Sequence, residues 1–261
     1  MHTREEKIEA FGRLLDVLDD LREKCPWDKK QTNQSLRPNT IEETFELCDA
    51  LMKDDRHEIM KELGDVLMHV CFYSKIGSET GDFDIADVCD HQVAKLKFRH
   101  PHIYGDTVAT TEKEVLENWE QIKLKEKDGN DRVLSGVPAA LPSLIKAYRI
   151  QDKARNVGFD WEDKGDVWGK VREELGELED ELKKENKEES LQELGDFIFS
   201  VINAARLYHL NPDTALEKTN QKFIRRFNYI EDHSIKVGKP LKEMTLEEMD
   251  KLWNEAKEKL G

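Results

Sequence analysis

Eight acidic residues along this chain fall into two sets with one spacing. Glu43, Glu46, Glu62 and Asp65 reappear as Glu174, Glu177, Glu193 and Asp196, each displaced by 131 positions. Carboxylates three apart share one face of a helix. A lone pair of that kind reads as solvated surface, but the surroundings here differ. Around the helix beginning at Glu193, the residues Leu194, Phe197, Ile198, Phe199, Val201 and Ile202 spread over most of the circumference. Glu193, Asp196, Ser200 and Asn203 fall together in a stripe of roughly 80° at about 100° per residue. An all-round apolar helix is normally buried, so this spacing predicts an acidic seam inside a bundle. Glu174 and Glu177 sit at the margin of the face made by Val171, Leu175, Leu178 and Leu182 and can point across at it. Carboxylates gathered in a partly dry space repel unless protonated or neutralised. Oxygen-only ligands select a hard cation, Mg²⁺ or its substitute Mn²⁺. The Glu-x-x-His of di-iron bundles is missing, because Asp65 and Asp196 stand where the histidines would be.

Protein-bound Mg²⁺ keeps positions open for water and phosphate oxygens, so cations are expected beside the acids. Lys170 lies one turn before Glu174. Lys95 with Arg99 recurs as Lys222 with Arg226, and Trp119 with Lys123 recurs as Trp253 with Lys257. Each Lys or Arg alone reads as surface. Trp253 and Lys257, one turn apart, suit either a stacked base with a phosphate contact or a core anchor. No Gly-x-x-x-x-Gly-Lys-Ser/Thr loop is present, which argues against a P-loop NTPase.

The elements that would carry these residues are helices. Apolar periodicity predicts helices near 3–24, 40–53, 56–78, 84–99, 111–127, 143–155, 164–185, 188–208, 212–235 and 245–259. Turn residues from Asp128 to Pro142 predict a linker over 128–142. The expected fold is all-α, with two tandem, duplicated helical-bundle domains over 1–127 and 143–261. Each half has few helices to enclose an all-round apolar one, so pairing into a homodimer is expected. The net charge is −15, with 37% charged residues. That argues against nucleic-acid binding and against anionic lipid. No apolar run reaches the length of a membrane span, and Met1–Ala10 lacks the apolar stretch of a secretory signal. A cytoplasmic protein is expected. Cys25, Cys48, Cys71 and Cys89 form no Cys-x-x-Cys pair, and buried free thiols are expected. His100 and His102 read as loop caps before metal ligands.

The ordered set of motifs resembles the MazG family of nucleoside triphosphate pyrophosphohydrolases over nearly the whole chain. The first half carries Cys25-Pro26-Trp27-Asp28, Glu42-Glu43-Thr44-Phe45-Glu46, Glu62-Leu63-Gly64-Asp65 and Arg99-His100-Pro101-His102. The second carries Gly158-Phe159-Asp160-Trp161, the acids at 174, 177, 193 and 196, and Lys222-Phe223-Ile224-Arg225-Arg226. The resemblance implies an all-α dimer, Mg²⁺ dependence and cleavage of NTPs and dNTPs to monophosphates and pyrophosphate. It implies that Glu174, Glu177, Glu193 and Asp196 hold metal and that Lys170, Lys222, Arg226 and Trp253 touch nucleotide.

The two halves differ at three matched positions. Lys170 aligns with Asn39, Asn203 with Phe72, and Asn220 with Val93. A cation and two amides thus face an amide and two apolar groups. The second half is expected to be the catalytic one, with Asn203 and Asn220 joining its substrate contacts. The first is expected to be a weaker or regulatory copy whose acids form a pseudo-equivalent metal site. The competing reading is a helical regulatory scaffold in which nucleotide hydrolysis is secondary. Buried acids without a counter-ion would only destabilise such a scaffold.

Overall fold

The computed structural model describes residues 1–107, 111, 114–115, 122, 132–161 and 163–260. No strand occurs among them. The helices are α1 (Arg4–Lys24), α2 (Asn33–Lys53), α3 (Arg56–Thr80), α4 (Ile85–Arg99), the short α5 (Pro101–Tyr104), α6 (Ser143–Arg155), α7 (Asp166–Lys183), α8 (Lys187–Leu207), α9 (Pro212–Val237) and α10 (Leu246–Leu260). Short 3₁₀ turns at Asp28–Lys30 and Leu241–Glu243 have no counterpart in the periodicity. The chain divides into two compact units, Met1–Ala109 and Thr110–Gly261. The expected helix over 111–127, with Trp119 and Lys123, falls mostly outside the described residues, as do 128–131 of the expected linker. Residues 132–142 are turns and irregular chain.

The expected helix at 40–53 begins earlier, at Asn33. Thr32 Oγ1 accepts from the Ser35 amide and Ser35 Oγ from the Thr32 amide, a reciprocal cap that starts the helix about two turns before Thr40. Pro38 sits inside it and costs one backbone donor, which the packing of Leu36 and Ala50 outweighs.

Each unit is built on a helical hairpin. In the first, α2 turns into α3 through Asp54 and Asp55. In the second, α7 turns into α8 through Lys184, Glu185 and Asn186. Asp54 and Glu185 both take left-handed backbone, at φ 52° and 56°, unusual for residues with a Cβ. The next residue in each case, Asp55 or Asn186, caps the returning helix through its side-chain oxygen. These positions are again 131 apart, so the duplication extends to the backbone of the turn.

In the first unit α1 packs on α3. Leu18, Leu36, Cys71 and Phe72 form the buried centre, with Phe11, Leu14, Met68 and Ile76 against it. Arg22 ties the unit's end together. It pairs with Glu79 at 2.7 Å and donates to the Gln31 carbonyl at 2.9 Å. In the second unit Val167, Val171, Ala204 and Leu207 form the centre with Phe197, α6 lies on α8, and α10 on α9. The buried Arg206 guanidinium pairs with Asp160.

Two expectations need correction. The helix 193–207 is not buried all round in a single chain. Ser200, Ile202, Ala204 and Arg206 are covered, whereas Leu191, Leu194, Ile198 and Val201 stay exposed along the opposite side. The matched residues of α3, Met60, Leu63, Leu67 and Val70, are exposed too. A two-helix hairpin has only one inner side, and the described helices of each unit leave the other uncovered. Of the four cysteines, all free, only Cys71 is buried; Cys48 and Cys89 are exposed. His100 Nδ1 meets the Leu96 carbonyl at 2.7 Å, closing the end of α4 as a cap.

Phe72 is 2% exposed, so Phe72→Ala removes a full aromatic ring from the first unit's centre. A loss of about 3–5 kcal/mol is expected, read from the denaturant midpoint of that unit, with the second unit's transition unmoved.

Candidate active site

The hairpin turns set the acids' heights. Glu177 lies eight residues before Glu185 and Glu193 eight after it, while Glu174 and Asp196 lie eleven away on either side. With a common rise of about 1.5 Å per residue, residues at equal counts from a tight turn meet across an antiparallel pair. Ligand oxygens of Glu174, Glu177 and Glu193 accordingly lie within 4.8 Å of one another. In the first unit the tight set is Glu43, Glu62 and Asp65. The structure thus draws together three of each predicted four. Asp196 and Glu46 stand beside their sets, near enough to act on Glu193 and Glu43 through charge.

Electrostatics follow that geometry. Desolvation first, then the charges of Glu177, Asp196 and Glu174, push the Glu193 carboxyl above the usual range. Desolvation, then Asp65, Glu46 and Glu62, do the same to Glu43. In each case the strongest charged neighbour sits at the same count from the turn. Glu62 is 3% exposed, and its Oε2 has no hydrogen-bond partner among the described residues. A buried carboxylate oxygen with nothing on it is costly. With oxygen donors converging around it, this suits a hard divalent cation.

The nearby cations are partly engaged by the acids themselves. Lys170 Nζ lies 2.6 Å from Glu174 and 2.8 Å from Glu173. In the first unit Lys61 lies 3.1 Å from Glu62 and 3.0 Å from Glu58. The sequence reading missed Lys61. Aligning position 61 with Gln192 shows a charge that only the first copy has.

Lys222 and Arg226, on α9, make no ion pair among the described residues, and the Arg226 Nε is buried without a partner. The Arg226 guanidinium stands 5.7 Å from the Trp253 ring centre, and Phe223 packs 5.0 Å from the same ring. Lys257 is exposed and reaches Asn254 at 3.2 Å, and Asn220 donates to Glu217 at 3.2 Å. Asn203 stands apart from these. It lines a cavity of about 570 Å³ with Gln151, Phe159, Trp161, Phe199 and Arg206. The cavity was not foreseen, although Gly158-Phe159-Asp160-Trp161 had marked the loop. Two aromatic side chains on an irregular segment were the available signal.

Beyond the acid cluster the copies diverge. Phe72, where the second copy has Asn203, is packed into the first unit's centre. His69 and Tyr73 stand at the positions of Ser200 and Ala204. Thr40 Oγ1 joins them, 3.1 Å from His69 Nδ1 and 2.6 Å from Tyr73 Oη. Burial holds the His69 imidazole below its ordinary pKa against the opposing charge of Asp65.

Comparison with known proteins gives concordant matches. The family model described as the MazG nucleotide pyrophosphohydrolase domain matches residues 31–104 and 168–230. Those segments contain both acid sets and the pair Lys222 and Arg226. The nucleoside triphosphate pyrophosphohydrolase of Escherichia coli K12 is 38% identical over 257 residues, covering 96% of this chain and 98% of that protein. The Thermotoga maritima protein named nucleoside triphosphate pyrophosphohydrolase/pyrophosphatase MazG is 39% identical over 250 residues, covering 95% of each. An uncharacterised Bacillus subtilis protein, YabN, is 45% identical over 261 residues, which span 53% of its length.

The raised carboxyls have a consequence for stability. Folded Glu193 holds its proton more tightly than unfolded Glu193, so its ionisation costs folded-state stability as pH rises through the glutamate range. The cost is complete above the raised value and vanishes below about pH 4, where both states are protonated. In metal-free protein Glu193→Gln is therefore expected to raise Tm at pH 7, with the gap closing in acid. A variant less stable than wild type at pH 7 would contradict this account of the site.

Proposed function

The chain belongs to the MazG family, and on that premise we propose that it hydrolyses nucleoside and deoxynucleoside triphosphates between the α and β phosphates. The products are the monophosphate and pyrophosphate, and the second unit carries the main activity. The observation that carries the reading is the convergence of Glu174, Glu177 and Glu193 across one hairpin. Substrate and cofactor class follow from chemistry. Acids in this arrangement do not attract a triphosphate unless a cation stands between them.

Glu174, Glu177 and Glu193, with Asp196 beside them, would hold Mg²⁺, for which Mn²⁺ is a substitute. When bound, such an ion neutralises phosphate charge and makes the phosphorus more open to water. The chain's residues supply the remainder. Lys170, by donating to Glu174, fixes the direction of that carboxylate. A carboxylate of the cluster accepts the proton of the attacking water. Lys222 and Arg226 meet phosphate oxygens and offset the charge that grows on the leaving pyrophosphate. Arg226 is held for this over the Trp253 ring, and its buried Nε is a donor awaiting an acceptor. The first copy has Asn39 at the position of Lys170 and packs His69, Phe72 and Tyr73 beyond its acids, which supports a regulatory or weaker role.

A homodimer is part of this reading. The exposed stripes Leu191, Leu194, Ile198, Val201 and Met60, Leu63, Leu67, Val70 lie opposite the acids on their helices. Covering such apolar rows is a strong drive to associate.

Product analysis with ATP and Mg²⁺ tests the activity. AMP and pyrophosphate are expected, and ADP with phosphate overturns the proposal. In the same assay Glu193→Gln is expected to lower turnover by on the order of a hundredfold, and Glu62→Gln far less. Loss with Glu62→Gln alone would reverse the assignment of the halves. Sedimentation should give two chains per particle, reduced to one by Ile198→Lys; a monomeric wild type removes the dimer.

A further inference from the structure

The turn end of the first unit's hairpin holds a cavity of about 510 Å³ between α2 and α3, a size within the range of small-molecule sites. Its α2 wall carries Glu42, Glu46 and Asp49 on successive turns of one face. Glu58 and Glu62 line it from α3. Of the tight acid set only Glu62 takes part, since Glu43 and Asp65 are not among the walls. The cavity therefore lies beside the candidate metal position rather than on it.

Five carboxylates and two lysines leave these walls three charges negative. Lys53 pairs with Asp49, and Lys61 with Glu58 and with Glu62 Oε1. The walls thus already hold two alkylammonium groups of the chain's own. Glu42 and Glu46 make no ion pair among the described residues. Glu62 is 3% exposed, and its Oε2 is buried with no hydrogen-bond partner among the described residues. A buried carboxylate oxygen in that state calls for a donor from outside the chain.

The walls also have an apolar part. Phe45 stands among the acids, 53% exposed, and the buried Ala50 lines the same cavity. The second copy is the control. It repeats the acids as Glu173, Glu177, Asp180, Glu189 and Glu193, but has Gly176 in place of Phe45 and Glu181 in place of Ala50. Only the first copy sets an aromatic ring among these carboxylates. An exposed ring adds nothing to the buried centre, whereas its face attracts an ammonium group.

The spread of the charges decides the class of cation. Among the described residues, the acids close enough to share one ion are Glu43, Glu62 and Asp65 with their second-unit counterparts, and Glu42, Glu46 and Asp49 belong to neither set. Glu42 to Asp49 spans about 10 Å of helix axis, whereas a metal ion reaches its oxygens at about 2–2.6 Å. Several ammonium groups joined by methylenes serve the whole row and lay their apolar links on Phe45 and Ala50. We propose that this cavity binds a linear aliphatic polyamine, with its ammonium groups on Glu42, Glu46 and Glu62 Oε2 and its methylenes on Phe45 and Ala50. The site goes beyond the hydrolase reading and does not depend on it.

Calorimetric titration of the full chain with spermidine, in about 0.15 M salt with Mg²⁺ present, should show one saturable site. Phe45→Ala and Glu42→Gln should each weaken it about tenfold. Glu173→Gln, the matched acid of the second unit, should leave it unchanged. Phe45 and Glu42 are both exposed, so each of those variants should keep the wild-type Tm. Wild-type affinity in Phe45→Ala, equal weakening by Glu173→Gln, or no saturable binding in Mg²⁺ would each overturn the proposal, the second by reducing it to diffuse attraction toward an acidic chain. Spermidine binding with no pyrophosphate released from ATP would keep this site and remove the hydrolase reading instead.

Discussion

Mutual repulsion among carboxylates held at one height is the interaction on which both units depend. A two-helix hairpin with a fixed turn leaves no freedom to relieve it by sliding. Residues at equal counts from the turn face each other whatever their charge. The packing around each hairpin, among Val167, Val171, Ala204 and Leu207 in one unit and Leu18 of α1 with Leu36, Cys71 and Phe72 in the other, holds the acids together against that force. Desolvation first, and this repulsion after it, raise the Glu193 and Glu43 carboxyls. Lys170 and Lys61 relieve part of it from within the chain.

Much of this was legible from residue types and spacing. The all-α fold, most helix positions and the two acid sets came from periodicity and from a displacement shared by four residues. These features obey local rules, so a one-dimensional string retains them. What escaped the string depends on longer contacts or on reciprocal caps. The start of α2 was missed because apolar periodicity, which places it near 40, does not register the reciprocal cap of Thr32 and Ser35. The membership of each tight triad was only partly anticipated, since Asp196 and Glu46 differ from their neighbours by fractions of a turn. The burial assigned to α8 failed because helical periodicity reports which faces are apolar, not how many partners one chain can bring to them.

The cavity beside Asn203 illustrates a further limit. Its walls come from α6, α8 and the loop at Gly158–Trp161, segments far apart in sequence. No spacing rule joins Gln151 to Asn203. The duplication nevertheless carries information that a single copy would not. Phe72 and Asn203 occupy the same place in two related units, so each acts as a control for the other. One copy closes the space with a ring, and the other leaves it open beside polar groups.

The turn also constrains how the two copies have drifted in length. The acids and the left-handed residues Asp54 and Glu185 keep a displacement of 131, whereas Lys95 and Arg99 are displaced from Lys222 and Arg226 by 127. The missing four residues are found in the returning helix, 25 residues long in α3 and 21 in α8. One residue gained or lost between the acids would swing a carboxylate about 100° away from its partners. Four lost beyond them amount to roughly one helical turn, which leaves the following chain departing from nearly the same side. Between these two copies the length difference thus preserves rotation about the helix axis. The hairpin keeps one length in both, and the distal end differs by roughly one turn.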